Sequence, residues 1–540
     1  QLLSSLSGIQ PLTDNPAGFM HNYMARKPYN IVSQIISYLC PENGIVYDPM
    51  MGSGTTLIEA SKLCRSSIGT DINQLSYTIT SVSFKSLNIC KIQLELDEFF
   101  QCIADKCRGI YSFVEEQETR IIERCHFNKD RENPNIIIPI TYWYRNVVNG
   151  KILGRKKADA TAAFIDQYRE FEHAEHTNIV DAALIPNSRI AIGPNDTVFM
   201  YFCARNLVAL DIIIQELNKR KNQYSFPILE LLVSSAINLI KLSDKKASSQ
   251  MPYWTPQNNA TSRNAVFILE KKKDAILKGL TYLDMVCQVK TVRSYGELVE
   301  NKGVIVKGSP AQNISYRVMP RNSVDLVLTD PPYTDQVPYM EYCQLWSHLL
   351  GWKSEFDERI DYELVVSDAP SRGKDKNDFN NILDDIIKRT SYSIKDGGHF
   401  VLFYHSFDIA SWNNLILRML KYGFAYQGQA PIGAPRKSFK TVISPNNTLN
   451  GNYVIIFRKR QQHSPIFEGG LADAERAAII CAQSIINSNN VVTSQDLYDK
   501  GMLRDAIEKG YLGILASKYH TFIDVITSSF RYEKGFWKEM

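Results

Sequence analysis

The sequence lacks paired cysteines and any residue set with metal-ligand spacing. Its 10 cysteines include no C-x-x-C pair, and a chain of 540 residues can fold on its core alone. We therefore interpret the cysteines as reduced, mostly buried thiols of a cytoplasmic protein. Cys102, Cys107, Cys125 and His126 are the residues nearest to a metal-binding set. No metal is predicted, because four residues separate Cys102 from Cys107 and no second close pair follows them.

The sequence also lacks a membrane-spanning run and a strong net charge. The most apolar stretch, residues 227–242, is too short to cross a bilayer and contains Glu230 and Asn238. It predicts a buried core helix. No charged segment precedes an apolar one at the start, which argues against a signal peptide. The net charge of +4 does not by itself indicate a nucleic-acid partner.

Six short apolar runs predict strands that are covered on both faces, as in a parallel sheet between helices. Helical patterns separate several of them, and this alternation predicts a doubly wound α/β domain. The predicted strands are residues 44–48, 67–71, 304–307, 324–329, 399–404 and 452–457, and the helices between them include 55–64 and 379–393.

A long interruption divides this domain. Residues 1–90 and 303–460 carry the predicted sheet, residues 91–302 are predicted to form a mainly helical insertion, and residues 461–540 a helical C-terminal segment. The helical patterns of the insertion lie at 92–110, 206–219, 227–242 and 265–286, with basic and aromatic clusters at 141–144, 155–157, 253–254 and 271–273. Those of the C-terminal segment lie at 471–486, from a start signal at 493 to residue 509, and at 518–530.

The stretch from Asp48 to Thr56, DPMMGSGTT, lies between a predicted strand and a predicted helix. Gly52 and Gly54 allow a tight turn, and the helix start offers N–H groups to a ligand. No lysine precedes the threonines, which excludes a phosphate-binding P-loop, and Leu57 replaces the third glycine of a dinucleotide fingerprint. The next strand ends at Asp71, where an acidic residue can accept the hydroxyls of a ribose.

A second motif, Asp330-Pro331-Pro332-Tyr333, directly follows the strand at 324–329. Together with the glycine loop it resembles the motif pair of S-adenosylmethionine-dependent DNA amino-methyltransferases, the N6-adenine and N4-cytosine class, in which both occur in this order. Met50 departs from the aromatic residue that is usual in that cofactor motif. Residues 21–28 resemble the segment that touches the methionine end of the cofactor.

The resemblance covers about residues 18–90 and 303–460. It implies a class I methyltransferase (Rossmann-like) fold with a mainly parallel sheet, and S-adenosyl-L-methionine as cofactor. It also implies that the insertion recognises the target. The cofactor contacts that it implies are Tyr23, Ala25, Asp48, Pro49, Met50, Gly52, Gly54, Thr55, Thr56, Asp71, Ile72, Ser309 and Asp330.

The chemistry of amine methylation explains the second motif. The carboxylate of Asp330 and the carbonyl of Pro331 can each accept one N–H of an exocyclic amine and so align its lone pair. Pro331 and Pro332 hold the backbone extended and lack a competing N–H. Tyr333 can stack on a base that has left the duplex. In the family, aspartate at the first position favours adenine.

Duplex DNA is therefore the expected substrate, in restriction–modification or phage defence with other defence proteins as partners. The residues expected to contact DNA are Arg205, Trp254, Arg263, Arg372 and Lys374. An RNA methyltransferase of the tRNA-guanine type is the alternative. Such enzymes usually carry an RNA-binding domain before the cofactor loop, and here only 47 residues precede Asp48. A third hypothesis, an inactive cofactor-binding subunit, is disfavoured by the presence of both Asp71 and Asp330.

Overall fold

The computed structural model describes the strands and helices of most of the chain. The described residues are 2–129, 137–148, 151–244, 253–256, 258–332, 338–367, 369–433, 452–460, 465–489, 491–533 and 535–540. Their strands are β1 (Ile45–Asp48), β2 (Ser66–Asp71), β3 (Ser112–Glu115), β4 (Glu118–Lys129), β5 (Ile137–Val148), β6 (Lys151–Asp159), β7 (Asn259–Arg263), β8 (Val304–Gly308), β9 (Val324–Thr329), β10 (Ile394–Tyr404), β11 (Phe424–Ile432), β12 (Asn452–Lys459), β13 (Phe530–Glu533) and β14 (Phe536–Glu539).

The helices follow in the same numbering by chain order. They are α1 (Leu2–Ser7), α2 (Pro16–Met20), α3 (Tyr29–Leu39), α4 (Thr55–Lys62), α5 (Gln74–Ser83), α6 (Ile89–Lys106), α7 (Arg108–Tyr111), α8 (Ala162–Glu172), α9 (Ala204–Asn218), α10 (Phe226–Ile240), α11 (Ala265–Val286), α12 (Tyr295–Asn301), α13 (Tyr339–Tyr342), α14 (Gln344–Leu349), α15 (Lys353–Arg359), α16 (Lys376–Ser393), α17 (Ile409–Lys421), α18 (Leu471–Asn487), α19 (Ser494–Asp499), α20 (Met502–Lys509), α21 (Leu512–Ala516) and α22 (Phe522–Ile526). Within the described part of the chain, no helix is both long enough and apolar enough to span a bilayer.

A seven-stranded mixed sheet forms the centre, in the order β11-β12-β10-β9-β1-β2-β8. The strands from β8 to β10 run parallel, and β12 lies antiparallel between β10 and β11. The predicted α/β class and all six predicted strands are confirmed, and β11 is an additional strand. The chain leaves β1 toward β2 on one side and returns to β9 on the other, which creates a topological switch point between β1 and β9.

Burial on both faces explains why these strands are almost continuously apolar. On β1, Val46 faces a core with α1 and α3, while Tyr47 faces a second core with α16, α17 and the C-terminal helices. Both side chains are nearly inaccessible to solvent. Helices therefore cover the sheet on both sides, as its hydrophobic pattern requires.

The insertion differs from the prediction, because it contains an antiparallel sheet beside its helices. The sheet has the order β3-β4-β5-β6, and β7 also pairs with β4. Residues 141–144 and 155–157, taken as clusters between helices, lie in β5 and β6. The predicted helices are confirmed as α6 with α7, α9, α10 and α11.

The insertion also shares its main core with the sheet domain. Side chains of α6, α9, α10 and α11 pack in one cluster with Met51, Leu57 and Leu75, which belong to the glycine loop, α4 and α5. The C-terminal helices α18 to α22 share one hydrophobic core with α17. The helix predicted at 518–530 is shorter than expected, because α22 ends at Ile526 and the β13–β14 hairpin begins at Phe530.

Helix α2 crosses α11 at Gly279. An added methyl group at this glycine would disturb the packing of the N-terminal segment against the insertion. A Cβ at Gly279 would lie 2.7 Å from the sulfur of Met20 and 3.1 Å from the carbonyl oxygen of Pro16. We expect Gly279→Ala to lower stability by about 1–3 kcal/mol through overpacking, although alanine favours a helix by about 1 kcal/mol. Thermal unfolding followed by circular dichroism measures the change.

Gly109→Ala is the matched control, because Gly109 is also helical and its Cβ would meet no atom within 4 Å. That variant should keep or raise the melting temperature. An equal response of the two variants would show that the close approach of α2 to α11 does not limit stability.

Candidate active site

The ends of four neighbouring parallel strands bring the predicted site residues to one edge of the central sheet. Val46 of β1 pairs with Leu326 of β9, so the turn after Asp48 and the segment beginning at Asp330 leave adjacent strands in the same direction. On the other side, Asp48 pairs with Gly69, and Asp71 pairs with Gly308. The cofactor-loop residues, Ser309 and Asp330 thus share the carboxyl edge on either side of the switch point, where ligands bind in such sheets.

The glycine loop has the backbone that its composition predicts. Gly52 and Gly54 have φ angles of +53° and +81°, a region that favours glycine. A Cβ at Gly52 would lie 3.1 Å from the Tyr23 ring, and one at Gly54 would lie 2.9 Å from the Thr80 side chain. The loop therefore packs closely between these two side chains. It ends at the N-terminus of α4, which has no side-chain cap and so can offer N–H groups to a ligand.

A buried ion pair holds the start of this loop. The Nζ of Lys27 donates to Asp48 at 2.9 Å, and both side chains are buried. The other carboxylate oxygen of Asp48 accepts from the Met50 N–H at 3.1 Å. The sequence motif points to Asp48 but not to Lys27, whose role depends on a tertiary contact.

Asp71 closes the loop from the second strand. Its carboxylate accepts the Gly52 N–H and the Asn73 N–H, each at 2.9 Å. Burial raises the pKa of Asp71 to about 6, although these two hydrogen bonds oppose the rise. Each carboxylate oxygen has two lone pairs, so Asp71 can accept further hydrogen bonds from a ligand.

Tyr339, at the start of α13, connects the two predicted motifs. Burial raises the pKa of its phenol, and the next largest causes are the negative charges of Asp330 and Asp71. Both carboxylates therefore lie near one ring, as the sheet register requires. Pro331 is buried, whereas Asp330 and Pro332 are half-buried. Tyr333 lies outside the described residues.

The segment that begins at Tyr339, after the predicted catalytic tetrapeptide, is fixed by buried polar contacts. Asn73 donates to the Tyr339 carbonyl at 3.3 Å. The Met340 N–H donates to Glu363 at 2.9 Å, and the buried carboxylate of Glu341 also accepts a hydrogen bond from Asn187 of the insertion. These contacts hold α13 against both the segment after β2 and the insertion.

Arg372 and Lys374 do not have the predicted role in DNA contact. Arg372 is buried, and its guanidinium forms ion pairs with Glu341 at 2.6 Å and Glu363 at 3.1 Å. Lys374 is also buried and donates to the carbonyl oxygens of Asp361 and Glu363. Both cations are used inside the protein: Arg372 neutralises two buried carboxylates, and Lys374 satisfies two backbone carbonyl oxygens.

Arg205 is a second correction. It is 2% exposed, and its guanidinium lies over the rings of Phe164, Tyr168 and Phe171 at 5.1–5.7 Å. It packs α9 against α8 and does not reach the surface. Arg263 is half-buried at the end of β7, and Trp254 is 40% exposed, so these two residues remain candidates for DNA contact.

The remaining predicted cofactor residues surround the same edge. Half-buried residues at the loop and strand ends are Tyr23, Met50, Thr55, Ile72 and Ser309, fully buried ones are Pro49 and Thr56, and Ala25 is exposed. The structure adds Arg359 of α15, whose guanidinium would be 3.0 Å from a Cβ at Gly308. It also donates to Gln74 at 3.1 Å. No sequence motif marks Arg359, because it reaches the site from a helix about 50 residues beyond β8.

Comparisons with known proteins agree with the motif that builds this site. A family model described as DNA methylase matches residues 5–81, which include the glycine loop and Asp71. The Type II methyltransferase M.HindIII of Haemophilus influenzae is 42% identical over 57 residues, which are 11% of this chain and 18% of that protein. The chain thus matches less than a fifth of the length of this curated relative.

Two crystal structures of the Thermus thermophilus protein TTHA0409, described as a candidate DNA modification methylase, also match. They are 15% and 14% identical, cover 31% and 33% of this chain and 57% and 62% of theirs, and have a TM-score of 0.16. That score carries no argument about the fold. The resemblance to DNA amino-methyltransferases is confirmed by the sequence matches, over the N-terminal segment that carries the glycine loop.

Loss of Lys27 alone should strongly destabilise the protein. In Lys27→Met, the Asp48 carboxylate stays buried without its cation, and such a loss costs about 3–5 kcal/mol. Denaturant unfolding should show this as a large shift of the midpoint. Lys91→Met is the control, because Lys91 is exposed and pairs with Glu95 at the surface of α6, where a pair contributes about 0.5 kcal/mol or less. Similar losses in both variants would contradict the role of the buried pair.

Proposed function

We propose that the protein is an S-adenosylmethionine-dependent DNA methyltransferase that modifies the exocyclic amino group of adenine. The observation that carries the proposal is the parallel pairing of β1 with β9, which sets the glycine loop beside Asp330. The DNA methylase match over residues 5–81 supports the class. The order of the five parallel strands, with its switch point at this site, supports a Rossmann-like arrangement.

The residues at the edge fit the proposed cofactor. The positive φ angles of Gly52 and Gly54 and the uncapped start of α4 provide a close backbone approach. Asp71 provides acceptor capacity for two ribose hydroxyls, and Tyr23 and Ala25 would flank the methionine end. Ser309 and Arg359 border the position beside β8 where the adenine ring would lie. The bound cofactor would supply an electrophilic methyl group on a sulfonium.

The catalytic segment supplies what the substrate amine needs. An exocyclic amine is a weak nucleophile, because its lone pair is delocalised into the ring. Asp330 and the Pro331 carbonyl would accept its two N–H groups and direct the lone pair toward the methyl donor. The amine would accept the methyl group as the methyl–sulfur bond of the sulfonium breaks, and Asp330 or water would take the proton that the amine loses. Tyr333 would stack on the extruded base.

Adenine is proposed over cytosine because the tetrapeptide begins with Asp330, as in the adenine-modifying members of the family that the sequence resembles. The Type II relative supports a place in restriction–modification or phage defence, with duplex DNA as substrate. Two described residues of the insertion, Trp254 and Arg263, are proposed as DNA contacts. An RNA substrate and an inactive cofactor-binding subunit are the alternative outcomes of the experiments that follow.

Cofactor binding should depend on the ionisation of Asp71. Burial raises its pKa to about 6, so the carboxylate that accepts ribose hydroxyls is present above pH 6 and is lost as the pH falls below it. Affinity for S-adenosylmethionine, measured by calorimetry, should fall about tenfold from pH 7.5 to pH 5. Asp71→Asn should bind weakly at both pH values. If the wild-type protein and this variant show the same pH dependence, another group controls binding.

Asp330 should be required for transfer but not for cofactor binding. We expect Asp330→Ala to lower the incorporation of labelled methyl groups into duplex DNA by at least about 100-fold, with cofactor affinity reduced little. Asp385→Ala, which removes an exposed aspartate of α16, is the matched control and should retain full activity. Digestion of the product should give N6-methyladenine.

Each alternative has its own result in this assay. N4-methylcytosine would contradict the adenine assignment only. Incorporation into RNA alone would contradict the DNA substrate. No incorporation by a protein that binds the cofactor would favour the inactive subunit.

A further inference from the structure

The inserted sheet has one face in a hydrophobic core and a second face, here called the open face, whose arginines, tryptophan and lysine are half-buried or exposed. Phe127 and Tyr142 point from β4 and β5 into a core with Phe164 and Tyr168 of α8. Side chains alternate between the two faces of a strand. Tyr142 points into the core, so its neighbour Trp143 on β5 belongs to the opposite face, and so does Arg124, which pairs with Trp143 from β4. An antiparallel sheet of this kind often leaves one face to solvent.

The register places a row of cations across this open face. Arg124 of β4 pairs with Arg263 of β7 on one side and with Trp143 of β5 on the other. Trp143 in turn pairs with Lys157 of β6. Four adjacent strands thus present Arg263, Arg124, Trp143 and Lys157 in one line, about 14 Å long at the usual strand spacing.

Two more arginines extend the row. Arg145 of β5 pairs with Arg155 of β6, and both form ion pairs with the buried carboxylate of Glu123. Their side chains are 42% and 50% exposed. The guanidinium of Arg155 also lies 5.9 Å from the centre of the Trp143 ring. One carboxylate therefore orients two guanidinium groups that remain accessible.

The two arginines at the centre lie close enough to affect each other's charge. Burial lowers the pKa of Arg263, the next largest cause is the charge of Arg124, and the charge of Asp244 opposes both. Like charges on adjacent strands repel, and a bound phosphate would add to the stabilisation that Asp244 gives them. A flat row of cations around an aromatic ring matches a phosphodiester backbone in charge and shape.

The row connects to the candidate active site through residues 253–256. The Tyr253 hydroxyl donates to the carbonyl oxygen of Tyr342, the last residue of α13, at 3.0 Å. Trp254 follows at the surface, and Lys129, at the end of β4, donates to Thr255 at 3.1 Å. A bound duplex could therefore contact the sheet and place one base near Asp330.

We propose that the open face of the inserted sheet, centred on Arg124, Trp143 and Arg263, binds the sugar–phosphate backbone of the duplex DNA substrate. The inference rests on the proposed function, because it takes duplex DNA as the partner. It replaces Arg205, Arg372 and Lys374 as DNA contacts by side chains that are half-buried or exposed and that lie on one face of the sheet.

The test measures binding of a fluorescein-labelled DNA duplex of 20 base pairs by fluorescence anisotropy at several salt concentrations. Phosphate contacts need no recognition sequence, so the unknown target site does not matter. We expect the double variant Arg124→Ala/Arg263→Ala to lose at least about tenfold in affinity, and the slope of log affinity against log salt to decrease in magnitude by about 2. Arg124→Lys/Arg263→Lys should stay within about threefold of the wild type, because lysine also neutralises phosphate.

The control is Arg504→Ala/Arg531→Ala, which removes two exposed arginines of the C-terminal segment and changes the net charge equally. Its DNA affinity should remain that of the wild type. Cofactor affinity, measured on the same preparations, should be unchanged in all variants and reports correct folding independently of DNA.

Three results would overturn the inference. The first is wild-type DNA affinity in Arg124→Ala/Arg263→Ala, and the second is an equal loss of DNA affinity in that variant and in the control. The third is that the wild-type protein binds an RNA of equal length more tightly than the DNA, and that Arg124→Ala/Arg263→Ala abolishes this RNA binding. Failure of the proposed function gives a different result, in which the wild-type protein binds the duplex through this face but transfers no labelled methyl group to it.

Discussion

The parallel hydrogen-bonded pairing of β1 with β9 is the constraint on which the rest of the structure depends. Their partner residues Val46 and Leu326 are about 280 positions apart in the chain, so the pairing joins the two parts of the sheet domain across the whole insertion. The glycine loop and Asp330 are neighbours only because of it. The cores on both faces of the sheet stabilise this pairing, and the site inherits its geometry from them.

Buried polar groups then fix the loops at the edge. Asp48, Asp71 and Glu341 are acidic side chains in or near the core. Asp48 accepts from Lys27, Asp71 accepts from backbone N–H groups, and Glu341 accepts from Arg372 and Asn187. Such groups stabilise little beyond their own desolvation cost, but they permit only one arrangement of the loops. The site is therefore precise because each acid accepts from a different element.

The strands and the two motifs could be predicted from the sequence because their signals are local. Continuous apolar runs identify strands buried on both sides, and the residues of the glycine loop require a particular backbone. The sequence does not predict the inserted sheet, because its strands alternate buried aromatics with more exposed side chains, as at Tyr142, Trp143, Tyr144 and Arg145, and this pattern resembles clusters between helices. The partners of Arg205, Arg372 and Lys27 are tertiary contacts, and composition cannot distinguish an arginine that binds phosphate from one that neutralises a buried glutamate.

The shared core of the insertion and the glycine loop has a consequence for protein engineering. Side chains of α10 and α11 pack with Met51, Leu57 and Leu75, and α2 contacts α11 directly at Gly279. Exchanging the insertion with that of a relative would therefore cut through a continuous hydrophobic interior. A chimera would have to transfer the matching faces of α2, α4 and α5 as well, so the insertion and the sheet domain are not separable units of inheritance.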